Sequence, residues 1–210
     1  MKIELKSIHF SEQLSEETNA FSANVYIEGI KAGTASNRGR GGATTYQAAD
    51  ERGRKLISDA EVYCHSLPPE KFSEGGSDHE LKMDLGQYID DLLDKYLQEK
   101  ELQKFQRKLE KAMDRGIVAG IPDQSFEVWY FNQSIEKILE NPKGPDILKN
   151  TIIKNIIPVL TGGTIILNSN IPQKLFEEAG LKKHQYARPV SCETKITQKE
   201  NKPPQKRRRL

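Results

Sequence analysis

The chain has little of what marks a secreted, membrane-bound or metal-clustered protein. Its 210 residues hold two cysteines, Cys64 and Cys192, too far apart to match a metal or redox spacing. A reduced, cytoplasmic setting is the expectation. No apolar run nears the roughly 18–20 residues that cross a membrane, so no membrane partner is expected. The start, Met1-Lys2-Ile3-Glu4-Leu5, is too acidic and too short in apolar residues for a signal peptide. The histidines His9, His65, His79 and His184 show no metal pairing at i, i+3 or i, i+4. No internal repeat and no complete catalytic constellation is present, so neither a cofactor nor a resident metal is expected, and a non-enzymatic role is favoured over catalysis.

What the chain does have is an uneven charge. The net charge is only +2, but from Lys182 to Leu210 ten Lys or Arg face two Glu, a surplus of eight that leaves about −6 on the first 181 residues. Long-range attraction to nucleic acid is therefore concentrated in the tail, above all in Lys206, Arg207, Arg208 and Arg209. The tail has few apolar residues and reads as disordered from Lys183 to Leu210. The same run also has the form of a short nuclear-import signal, and a solubilising tail is the plainer alternative.

The apolar pattern divides the rest. Ile3 and Leu5, then Ile8 and Phe10, alternate with a one-residue slip, the signature of a bulged strand. Phe21, Ala23, Val25 and Ile27 alternate cleanly, Gly29 supplies a turn, and Lys31–Ser36 returns as a third strand. Thr44-Thr45-Tyr46-Gln47 has the form of a capping box, so a helix is expected to start there and to end before Pro68-Pro69. Residues 1–68 thus read as a β-β-β-α unit and 69–83 as a linker. Residues 84–182 read as a helical region followed by a small α/β part. Within it, Leu85, Ile89, Leu92 and Tyr96 form one helical stripe and Leu102, Phe105, Leu109 and Met113 another. Their register shift implies a bent helix or a helical pair, with Gly116 as its C-cap. Two strands (Ile117–Ile121 and Phe126–Phe131), helices near Gln133 and Pro145, a strand at Thr164–Leu167 and a helix at Pro172 follow. The fold class is α+β.

The loop Ser36-Asn37-Arg38-Gly39-Arg40-Gly41-Gly42 carries the main functional signal. Glycine lets a backbone approach a ligand closely, and a following helix N-terminus would add free N–H groups and a positive dipole end. With Arg38 and Arg40, and Arg52 and Arg54 on the next helix, this makes a seat for phosphate, whether of a nucleotide or of a nucleic-acid backbone. The alternative is a tight turn that needs glycine, with solvated arginines. The spacing is not a P-loop, because no Gly-Lys-Ser/Thr follows Gly42. It is not the dinucleotide fingerprint either, because Thr44 stands where the last glycine belongs.

Two resemblances follow from these residues. Phe21-x-Ala23-x-Val25, Gly33, the glycine loop and Gln47-Ala48-Ala49 resemble the C-terminal half of a double-stranded-RNA-binding domain over about 65 residues. That resemblance implies phosphate contacts by Arg38, Arg40, Arg52, Arg54 and Lys55. Separately, Glu16-Glu17-Thr18-Asn19-Ala20-Phe21, the Gly41-Gly42 loop with Tyr46, and Ile166-Leu167-Asn168-Ser169-Asn170-Ile171-Pro172 look similar to small uncharacterised proteins of bacterial phages and mobile elements. This implies a cytoplasmic setting and no particular activity.

Two further patterns have bland and sharp readings. Asp90-Asp91-x-x-Asp94 is a solvated helix face or a divalent-cation site. Phe126-Glu127-Val128-Trp129-Tyr130-Phe131 is a core strand, or presents Trp129 to a base or a protein partner. The reading as a whole is a phage-type binding protein whose Gly/Arg loop (Arg38, Gly39, Arg40, Gly41, Gly42) and tail meet nucleic acid or a nucleotide. The alternative is an anti-defence or inhibitor protein that binds a host protein.

Overall fold

The computed structural model describes residues 1–74 and 77–186, with backbone alone over 70–79. The chain is α+β and falls into two compact units, Met1–Glu101 and Leu102–Leu210. Among the described residues no helix is long and apolar enough to cross a membrane.

In the first unit, β1 (Ile3–Phe10), β2 (Phe21–Ile27), β3 (Ile30–Asn37) and β4 (Thr45–Ala48) form an antiparallel sheet in sequence order. The slip in β1 is real: its register with β2 shifts between Lys6 and His9, where Ser7 takes φ 51°. Glu28 and Gly29, both at positive φ, make the tight turn between β2 and β3. The fourth strand corrects the expected three-stranded sheet. Thr45-Tyr46-Gln47-Ala48 pairs with Ser36–Gly33 and does not open a helix. The cap lies further on, where the Asp50 carboxylate accepts the Gly53 N–H at 2.7 Å and α1 (Glu51–His65) begins. Asp50-x-x-Gly53, and not Thr44-x-x-Gln47, thus supplies the cap.

Helix α1 crosses the sheet and buries Ile57, Ala60 and Cys64 against Phe21, Val25, Ile27 and Ala35. The stretch read as a linker contains a hairpin, β5 (Glu70–Glu74) paired with β6 (Ser77–Leu81). Helix α2 (Leu85–Arg115) then runs without interruption, capped by Asp84, whose side chain accepts the Gln87 N–H at 2.8 Å. The boundary between the units falls inside it. Its two apolar stripes have different destinations: Leu85, Ile89 and Leu93 join the first core, while Leu109, Ala112 and Met113 join a cluster with Val118 and Leu167. That division accounts for the register shift in one helix. Gly116 is not a left-handed cap but the first residue of the next strand.

The second unit centres on β7 (Gly116–Ile121), flanked by β8 (Ser125–Tyr130) and by β9 (Ile165–Ile166). Both faces of β7 are covered, which is why Gly-Ile-Val-Ala-Gly-Ile reads as one apolar run. Ile117 and Ala119 face a core built by α3 (Ile135–Glu140), α4 (Gly144–Thr151) and α5 (Gln173–Glu178), and Val118 faces the α2 cluster. Asn168, 3% exposed, ties these parts together. Its side chain accepts the Val118 N–H at 2.6 Å and donates to the Gly116 carbonyl at 2.9 Å, while Asn170 donates to the Met113 carbonyl at 2.6 Å. Lys183–Gln185 forms a short helical turn, and Tyr186 is buried, bridges Ile166 and lies 5.1 Å from the Phe176 ring. The expected disordered tail therefore begins too early, because Tyr186 supplies an apolar anchor. The remainder of that tail, with Lys206, Arg207, Arg208 and Arg209, lies outside the described residues.

Candidate phosphate-binding hairpin and its neighbouring cleft

With β4 in place, the Gly/Arg loop is the connection of a β3–β4 hairpin, and no helix N-terminus follows it directly. The order is β-β-β-β-α, which differs from the β-β-β-α order behind the resemblance to double-stranded-RNA-binding domains. The loop backbone is tied down by side chains of its own surroundings. Asn37 accepts the Gly39 N–H at 2.9 Å and the Thr18 hydroxyl at 3.0 Å, and donates to the Gly42 carbonyl at 2.8 Å. The Gly41 N–H donates to Thr18 Oγ1 at 3.4 Å.

The nearest cluster of converging N–H groups is not in the loop but at Glu16, Glu17 and Thr18. All three donate to the Gly39 carbonyl, at 2.9, 3.0 and 3.4 Å. Such a cluster suits an anion, and here the chain fills it with its own oxygen. Gly39 is required for this twice over: its φ is +82°, and a Cβ there would lie 2.1 Å from the Leu14 carbonyl. The glycines thus serve the turn. Arg38 and Arg40, in contrast, are exposed and take part in no ion pair among the described residues.

Arg52 and Arg54 lie on the exposed first turn of α1, and Arg54 pairs with Glu51 at 2.9 Å. No hydrogen bond or ion pair joins either one to the loop among the described residues. The structure therefore brings together Arg38, Gly39, Arg40, Gly41 and Gly42 but not the four arginines as one cluster.

Beyond the loop lies a cleft of about 620 Å³ between β4, α1 and the start of α2. Thr44, Tyr46, Glu61, His65, Lys82, Asp84 and Asp90 are among its lining residues. Tyr46 donates to Glu61 at 2.8 Å, and burial, reinforced by Glu61, pushes the phenol up to about 12, so it stays protonated. Thr44 donates to Asp90 at 2.5 Å. Burial raises the Asp90 pKa, with Asp94, Asp91 and Asp84 adding to the rise and the Thr44 bond opposing it. His65 Nδ1 lies 3.1 Å from the Met83 carbonyl, which can only accept, so that nitrogen carries the proton. Cys64 behind it is fully buried, and burial lifts its thiol to about 11, the reverse of an activated nucleophile.

The three aspartates, open to reading as a solvated helix face or a cation site, have separate partners: Asp90 takes Thr44, Asp91 takes Gln87, and Asp94 takes Asn19 at 2.8 Å. No group of three metal-ligating side chains occurs among the described residues. Trp129 packs against the core, and the exposed aromatic of that strand is its neighbour Tyr130. The cleft itself was not legible in the sequence. Glu61 and Asp84 lie 23 positions apart, and only the fold sets them around Tyr46. In comparisons with known proteins, no family model, no curated protein and no solved structure matches the chain.

Proposed function

We propose that this chain is a non-enzymatic binding protein of the phage or mobile-element kind, engaging the phosphate backbone of a nucleic acid through the β3–β4 tip and the basic tail. The observation that carries this reading is the pair of exposed guanidinium groups of Arg38 and Arg40, in no ion pair among the described residues, on a backbone held by Asn37 and Thr18. A tip already ordered loses little entropy when it binds. Guanidinium contacts to phosphate position a nucleic acid without reading its sequence. A polymer suits the tip better than a free nucleotide does, because in the adjoining cleft Glu61, Asp84 and Asp90 outnumber Lys82 and oppose phosphate.

The rival, an inhibitor that binds a host protein, draws on Ile147. It is 48% exposed beside a groove of about 270 Å³ shared with Phe131 and Ile138.

The test is binding of duplex and single-stranded oligonucleotides across a salt series. Arg38→Ala with Arg40→Ala is expected to lower the slope of log affinity against log salt by about 2, with the melting temperature unchanged. Changing Lys206, Arg207, Arg208 and Arg209 to Gln is expected to lower it by about 3–4. Unchanged slopes in both variants overturn the reading. A stoichiometric complex recovered from nuclease-treated lysate and indifferent to both variants supports the rival.

A further inference from the structure

The three-stranded sheet of the second unit ends differently on its two sides. Beyond β9, Ile166 meets Tyr186 in a parallel bridge. Beyond β8 no further strand follows among the described residues, so β8 is an open edge.

Two sets of hydrogen bonds fix which backbone groups of β8 point off that edge. Phe131 donates its N–H to the Arg115 carbonyl at 2.8 Å, on the β7 side. In an antiparallel ladder alternate residues share a direction, so Trp129, Glu127 and Ser125 also address β7. Val118, opposite Val128, gives the same phase. Its carbonyl accepts from Leu167 and its N–H reaches Asn168, both away from β8. Phe126, Val128 and Tyr130 therefore direct their N–H and C=O groups outward, and Tyr130 is 70% exposed.

We propose that this edge pairs antiparallel with β8 of a second copy of the chain, about a two-fold axis at Val128. A two-fold axis perpendicular to a continuous sheet keeps every side chain on its own face, so each residue must meet one of the same parity. With the axis at Val128, Phe126 lies opposite Tyr130 of the second copy, Val128 opposite Val128, and Tyr130 opposite Phe126. Every outward N–H and C=O of those three residues then finds a partner. The Phe–Tyr pairs are of the cross-strand type that stabilises sheets, and they cover the exposed ring.

The charges agree with this register. Glu127, the strand's one charged residue, falls opposite Trp129 and not opposite another acid, and Asp123 falls opposite Gln133. The area sets the strength. A six-residue strand is about 20 Å long, and pairing two of them buries less than the roughly 800 Å² per partner of a standard interface. The dimer is therefore weak, with dissociation in the range of about 10 µM to 1 mM.

The test combines sedimentation of the full chain from about 10 µM to 1 mM with residue-resolved hydrogen exchange at both ends of that range. A monomer–dimer equilibrium is expected, with exchange at Phe126, Val128 and Tyr130 slowed about fivefold or more at high concentration. Glu127 and Trp129, already bonded to β7, should be unaffected. Tyr130→Lys changes an exposed side chain and should weaken association at least tenfold with the fold intact. Val128→Pro removes an outward donor without touching the β7 ladder and should do the same. If that variant does not fold, Tyr130→Lys decides. A monomer at every concentration, a dimer indifferent to Tyr130→Lys, or protection at other residues overturns the proposal.

Discussion

Asp90 shows how a single side chain here works against its own charge. Burial, with Asp94, Asp91 and Asp84 close by, raises its pKa in the folded chain. A carboxyl group whose folded pKa lies above its unfolded value favours the fold when protonated. That contribution is complete below the unfolded value near 4 and is lost as pH rises through the raised folded value. At pH 7, above the unfolded value, Asp90 is therefore a net burden on stability. Asp90→Asn keeps an oxygen to accept from Thr44 and is expected to raise the melting temperature at pH 7, with the gap closing by about pH 3.5; thermal scans across that range check it. Gly53 presents the opposite case. Alanine in a helix usually gains about 1 kcal/mol over glycine, but a Cβ at Gly53 would lie 2.1 Å from the Ala32 carbonyl on β3. Gly53→Ala is expected to lower the melting temperature by about 5 °C, since helix and strand must separate to admit it.

Among the elements, legibility followed how local the deciding interaction is. The bulge in β1 was readable because the apolar parity changes between Leu5 and Ile8, and the strand register shifts at that place. β7 was readable as an unbroken apolar run because both of its faces are buried. β4 was not, because Thr44-x-x-Gln47 satisfies a local helix rule while pairing with β3 across the loop decides the outcome. The same non-local pairing shapes the site. A helix after Gly42 would lend the loop a dipole and helix N-terminal N–H groups, and β4 stands there instead. Its arginines were legible as exposed cations, whereas the filling of the Glu16–Thr18 N–H cluster by Gly39 depends on a contact more than twenty residues away in sequence. The Asn168-Ser169-Asn170 run has a structural role: it holds β7 and the end of α2.

For the whole molecule, the anchored residue Tyr186 matters more than the length of the tail. Residues 187–210 carry eight Lys or Arg and few apolar side chains. Removing them is expected to leave the melting temperature within about 2 °C. Removing residues 183–210 takes Tyr186 as well, which is 7% exposed and packs on Phe176. Losing an aromatic of that kind costs about 2–3 kcal/mol, so the shorter chain should melt lower by about 5–10 °C. Paired thermal melts of the two truncations check both statements.

The sequential order β1-β2-β3-β4 also has a consequence in time. Every pairing in that sheet joins neighbours along the chain, so each needs only a short loop to close and the sheet can form step by step. β9 reaches β7 only after β8 and a run of helical segments, about 45 residues later in sequence. During synthesis the first sheet has its partners within reach as they emerge. β7 must wait, one side bare, until the last third of the chain arrives to cover it.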